Sequence, residues 1–130
     1  MSREEIQQAV IAFLDQFISR GAASDIRDLG DRLHTDTPTR ERLQQQLATD
    51  NLSEREAFDA MRAFFAVEYE RQISPPRGGG PDLVDLLSWT RWEAANEDGH
   101  FAEDGTLQMT GDPAQWHDWL RVAEVVTTAK

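Results

Sequence analysis

Apolar residues recur along this chain at spacings of three and four, the period of a helix with one buried face. Over residues 2–20 the stripe is Ile6, Val10, Phe13, Leu14, Phe17 and Ile18. Ser2 and Glu5 form a capping box ahead of it, satisfying backbone N–H groups that no carbonyl reaches, and Gly21 is a natural stop. Ile26, Leu29 and Leu33 predict a short second helix over 25–34. Thr37 followed by Pro38 predicts a third, capped by the threonine and running through Leu43 and Leu47. Ser53 and Glu56 repeat the capping box ahead of Phe58, Met61, Phe64, Phe65 and Tyr69. A last helix starts at Pro113, capped by Asp112 with Gln115 three residues on. It lines up Trp116, Trp119, Leu120, Ala123 and Val126. Between the helical segments, residues 93–112 lose the period. Residues 106–110 read as a short extended piece and the rest as turns. With no strand-rich region, the class is all-α, a bundle of about five to six helices in one domain.

The pattern repeats. Shifted by 51 positions, the first helix places Ser2 on Ser53, Glu5 on Glu56, Phe13 on Phe64 and Arg20 on Arg71. Asp25-Ile26-x-Asp28-Leu29 likewise resembles Asp82-Leu83-x-Asp85-Leu86. Two readings fit: two degenerate three-helix units, 1–50 and 51–130, or the likeness that any two capped amphipathic helices share. The clearest break is Ser74-Pro-Pro-Arg-Gly-Gly-Gly-Pro81, where prolines forbid a helix and glycines loosen the backbone. It lacks the G-K-[ST] ending of a phosphate cradle and reads as a flexible connector over 74–81.

Composition narrows the function classes. Twenty-four acids against thirteen bases leave a formal charge of −11. Such a field repels phosphate backbones and anionic lipids, so nucleic-acid and membrane binding drop out, and it favours a basic protein partner. The absence of cysteine removes disulfides, thiolate metal sites and cysteine nucleophiles. The start, MSREEIQQ, has no apolar stretch behind a basic end, and no segment is long enough to span a bilayer. The expectation is a cytoplasmic protein.

Catalytic patterns do not assemble. His34, His100 and His117 lie apart from any metal-binding spacing, and Ser88 sits in L-L-S-W-T rather than in a nucleophile elbow. Asn96-Glu97-Asp98-Gly99 does not fit a calcium loop. The expectation is no enzyme, no cofactor and no metal. Aromatic residues and charge say more. Nine of the eleven aromatics follow residue 50, and Trp89/Trp92 and Trp116/Trp119 are both i,i+3 pairs. Trp116 and Trp119 read as core; Trp92 borders a run, residues 93–104, that holds five acids and no Lys or Arg. The acidic run has two readings: a solvated loop, or a loop on a compact body that presents a basic protein with charge arranged like a phosphate backbone. The candidate partner-binding residues are therefore Trp92, Glu93, Glu97, Asp98, His100, Glu103 and Asp104.

Four stretches of the C-terminal eighty residues carry a family resemblance. They are residues 52–65 (LSEREAFDAMRAFF), the D-L-x-x-L-L-S segment at 82–88, and Asp104-Gly105 followed by D-P-x-x-W-x-D-W-L at 112–120. Together they resemble small bacterial immunity proteins of contact-dependent growth-inhibition systems. The resemblance implies a cytoplasmic protein that binds and neutralises a cognate toxin domain, commonly a basic nuclease. A second reading from another class is an adaptor whose helices assemble into homo- or hetero-oligomers, with the N-terminal unit as the dimer-forming part. In either case circular dichroism should show a strongly helical protein, and limited proteolysis should cut first within residues 74–81.

Overall fold

The computed structural model describes residues 1–20, 24–73, 81–98 and 100–128. Gly21, Gly99 and residues 74–80 of the connector lie outside the described residues. Among the described residues, six helices and a two-stranded antiparallel sheet follow one another as α1 (Arg3–Ser19), α2 (Ser24–Thr35), α3 (Thr37–Gln45), α4 (Glu54–Ile73), α5 (Pro81–Trp89), β1 (Trp92–Ala95), β2 (Leu107–Thr110) and α6 (Pro113–Thr128). The molecule is therefore mostly helical, but not all-α as the periodicity suggested. The extended piece expected at 106–110 is β2, whereas residues 93–95, expected as turn, form β1 together with Trp92. Four residues with only Trp92 and two alanines as apolar content are too short to display a strand period. Pairing with β2 makes β1 a strand, from Trp92 opposite Thr110 to Ala95 opposite Leu107.

Both capping boxes form. Ser2 Oγ accepts from Glu5 N–H at 3.1 Å and Glu5 Oε1 from Ser2 N–H at 2.8 Å, and the same exchange joins Ser53 and Glu56 at 3.1 and 3.0 Å. The cap of α3 is Asp36 rather than Thr37: its carboxylate accepts from Thr39 N–H at 3.2 Å. An anion at a helix N-terminus also meets the positive end of the macrodipole, which a threonine does not exploit.

One apolar cluster runs through both halves of the chain, from Ile6 to Val122. Positions that match in the sequence repeat match in burial: Phe13 and Phe64, Leu14 and Phe65, Ile26 and Leu83, Leu29 and Leu86 are all fully or almost fully buried. Their neighbours differ. Phe13 packs edge-on to Phe17 and Trp119, whereas Phe64 lies tilted against Phe65. The principal partners of α1 are α2 and α6, while α4 meets α5, α6 and α3, so the halves interlock. On α6 the buried face is Gln115, Asp118, Trp119, Val122 and Ala123. That face is turned from the stripe read in the sequence, because α6 gives Trp119 to the helices and Trp116 to the sheet.

The helices are also tied by charge. Glu68 of α4 has a fully buried carboxylate that accepts from Arg32 of α2 at 2.7 Å and from Arg42 of α3 at 2.7 and 3.0 Å. Buried Thr39 accepts from both guanidiniums, at 3.3 and 3.1 Å, and donates to Asp36 at 2.6 Å. Burial pushes the Glu68 carboxyl upward, but the hydrogen bonds and charges of Arg42 and Arg32 together outweigh it and hold the group below its ordinary value of 4.5. Removing the anion leaves two largely buried cations facing each other. Glu68→Ala should therefore cost about 3 kcal/mol or more in urea denaturation at neutral pH. The pH dependence follows in sign: a depressed carboxylate contributes fully above its unfolded value and loses that contribution as pH falls through its folded value. In Glu68→Gln the loss of stability below pH 4.5 should be shallower than in the parent protein.

Candidate functional site

The strands belong to an excursion whose two ends are pinned together. Thr90 closes α5 by donating its hydroxyl to Leu86 C=O at 2.8 Å, and Arg62 of α4 reaches Thr90 Oγ1 and Leu87 C=O, both at 3.1 Å. A cation on these terminal carbonyls opposes the negative end of the α5 dipole. Across the base, Gly111 N–H donates to Arg91 C=O and Asp112 N–H to Trp89 C=O, both at 2.8 Å. A Cβ at Gly111 would lie 2.5 Å from Ser88 oxygen, so glycine permits this close passage.

Beyond the base the segment has three limbs. β1 is flanked on one edge by β2 and on the other by residues 100–102, through an antiparallel bridge between Ala95 and Phe101. Asn96 N–H donates to His100 C=O at 2.9 Å and Ala102 N–H to Ala94 C=O at 3.1 Å. The Asn96 side chain, accepting from the N–H groups of Asp98 and His100 at 3.1 and 3.0 Å, shapes the first turn. To reach β2 from the third limb the chain must cross over β1, and it does so at Gly105. A Cβ there would lie 2.1 Å from Ala95 oxygen. The crossover covers Ala95, which is fully buried although nothing else about the sequence around it suggests burial.

This geometry distributes the candidate residues unequally. Glu97 and Asp98 occupy the first turn, Glu103 and Asp104 the second, and Glu93 stands on β1; all five are exposed. Glu93 lies 4.0 Å from Arg91 Nε, a contact worth little between exposed groups. His100 is exposed and closes the first turn through its backbone. Trp92 is elsewhere: it sits at the base of the ribbon on the face turned toward α4 and α6. Its ring packs edge-on to Phe58 and Trp116, with centroids 5.7 and 5.2 Å away. Its Nε1 donates to Asp59 at 2.9 Å, and the Arg55 guanidinium covers the ring at 3.6 Å. Arg55 also bonds Asp59 and, across the sheet, Gln108. Trp92 thus fastens the ribbon to the bundle.

Two residues outside the seven candidates complete the surface. Phe101 and Leu107 flank Ala95 in register on the outer face, 51% and 49% exposed. Their signal in the sequence was faint: single apolar residues amid acids and turn formers. A shallow groove of about 420 Å³ runs between β1 and the third limb, and a cleft of about 300 Å³ lies between β2 and the start of α6, lined by Met109, Pro113 and Trp116 among others. Among the described residues, no three His, Asp or Glu side chains gather as a metal site, and no helix is long and apolar enough to cross a membrane. Compared with family models, with curated proteins and with solved structures, the chain matches none.

If the crossover depends on contact between backbones, Gly105→Ala should dislodge the ribbon and leave the helices intact. Amide hydrogen exchange over residues 93–110 should quicken at least tenfold while that of α1 and α4 stays within error of the parent.

Proposed function

We propose that this chain is a cytoplasmic binding protein, not an enzyme, that neutralises a cognate basic toxin domain of nuclease type by covering it. The observation that carries this reading is the outer end of the ribbon. Phe101 and Leu107 stand half-exposed amid five exposed carboxylates, on a segment pinned at its base and stiffened by a backbone crossover. An apolar centre with a charged rim is the anatomy of a protein interface: the centre supplies desolvated contact and the rim supplies steering. The formal charge of −11 favours a basic partner. Occlusion requires no chemistry of its own.

The adaptor reading has less support. It placed the assembling face on the N-terminal unit. Among the described residues the exposed large apolar side chains are Trp89, Phe101, Leu107 and Val125, all in the second half.

The test is kinetic. Affinity capture from the native host supplies the partner, and any toxin-like domain encoded beside this chain is the first candidate. Exchanging Glu97, Asp98, Glu103 and Asp104 for their amides removes four charges and changes side-chain size little. Association should slow by about an order of magnitude at low salt. The difference should close above about 0.5 M salt, where the Debye length is about 4 Å. Thermal stability should hardly move, because exposed loop charges contribute little to folding. An unchanged association rate would place the recognition surface elsewhere.

A further inference from the structure

The third limb covers the second edge of β1 except at one residue. Residues 100–102 pair along it as far as Ala102, opposite Ala94. A tight turn, closed by Gly105 N–H on Ala102 C=O at 2.9 Å, then carries the chain away through Glu103 and Asp104. The bond from Gly111 N–H to Arg91 C=O fixes the phase of the β1–β2 ladder, so the N–H and C=O of Trp92 point away from β2. Trp92 borders the 420 Å³ groove there, and neither group has a backbone partner among the described residues. One residue cannot hold an added strand. It can pair with the last residue of a chain, which needs a neighbour on one side only.

The charges of the groove point the same way. Arg91 lines it with a side chain 72% exposed, and its one charged contact among the described residues is Glu93 at 4.0 Å. Arg62 lies near: burial, and after it the charge of Arg91, lowers the pKa of its guanidinium against the opposing charge of Asp59. Two cations therefore stand close together at the base of an otherwise acidic ribbon. Glu93 and Glu103 bring negative charge to the same groove, and Ala94, Ala102 and Phe101 give it apolar walls.

We propose that this groove captures the C-terminal residue of a polypeptide partner. A residue lying antiparallel opposite Trp92 donates its N–H to Trp92 C=O, accepts from Trp92 N–H, and heads toward Arg91. When that residue is the last, the acceptor is a carboxylate, within reach of both the Trp92 N–H and the Arg91 guanidinium. Its side chain falls on the face of Trp92 and Ala94 and is therefore apolar. The residues before it cannot follow an edge that Ala102 occupies, so they leave past Glu103 and Glu93, where Lys or Arg fits. The occupant is a basic tail ending in an apolar residue with a free carboxylate. The inference rests on the binding-protein reading above and names the part of the partner that this groove takes.

The probe is a fluorescein-labelled peptide, Gly-Ser-Gly-Lys-Arg-Lys-Lys-Leu, with a free C-terminus, titrated against the full chain by fluorescence anisotropy. The comparison is the same peptide as its C-terminal amide. Amidation makes the peptide more positive, so general attraction to a chain of charge −11 favours the amide, whereas a carboxylate contact favours the acid. The acid should bind about fivefold more tightly or better. Arg91→Gln, an exchange at an exposed side chain, should abolish that preference without weakening the amide. Equal affinities, tighter binding of the amide, or a preference that survives Arg91→Gln would overturn terminus capture. Neither peptide binding, with the captured toxin domain still bound, would also overturn it and leave neutralisation standing. A preference for the acid that Arg91→Gln abolishes, with no toxin domain captured, would do the reverse.

Discussion

The indole of Trp119 is where the chain's distant parts meet. It is fully buried on α6, lies 6.0 Å from Phe13 of α1 and 6.0 Å from Phe58 of α4, and donates its N–H to Glu54 C=O at 2.9 Å. That hydrogen bond takes up a carbonyl in the first turn of α4 and satisfies the one polar atom of a ring otherwise enclosed by hydrocarbon. From Phe58 the contacts continue outward to Trp116 at 5.3 Å and to Trp92 at 5.7 Å. A single run of rings therefore leads from the first helix to the base of the acidic ribbon. Each edge-on pair adds about 0.5–1.5 kcal/mol beyond the area it buries. The larger consequence is positional: the ribbon stands where these rings put it, with its inner face against the helices.

Charge is organised in two different ways within one acidic protein. Around Glu68 a carboxylate, two guanidiniums, a threonine and Asp36 hydrogen-bond in one network that joins α2, α3 and α4. Such a buried network contributes little net stability compared with an apolar packing of the same volume, yet losing any member is costly, so it acts mainly to specify the arrangement. On the ribbon the carboxylates stand in water with almost no partners. Their mutual repulsion is tolerated because the backbone bonds, the Asn96 turn and the Gly105 crossover hold the segment regardless of side-chain charge. Long-range attraction needs charge that is not already neutralised at home, and only the second arrangement supplies it.

Much of this was legible in the residues themselves. Helix starts are local events, decided by a side chain and a backbone N–H three positions on, and Ser2/Glu5 and Ser53/Glu56 declare them without reference to the rest of the chain. The buried stripes on α1 and α4 follow from spacing, and the acidic run at 93–104 from a count. The strand at 92–95 was not legible, because four residues in isolation have no preference strong enough to outweigh a turn; its partner lies fifteen residues away and the crossover supplies the cover. Trp92 was placed beside the acids because it is adjacent to them in sequence. In a strand, neighbouring side chains point to opposite faces, and that alternation sends Trp92 inward and Glu93 outward.

Sequence alone determined that this is a mostly helical, strongly acidic chain with its negative charge concentrated in one irregular segment, since composition, capping and periodicity are properties of nearest neighbours. Tertiary structure decided what that segment is. Pairing between Trp92–Ala95 and Leu107–Thr110, closed over by Gly105, converts a string of turns into a fixed ribbon and exposes Phe101 and Leu107. Those features arise from contacts between residues six to eighteen positions apart, where the deciding quantity is the fit of one backbone against another, and no count or period along the chain records that fit.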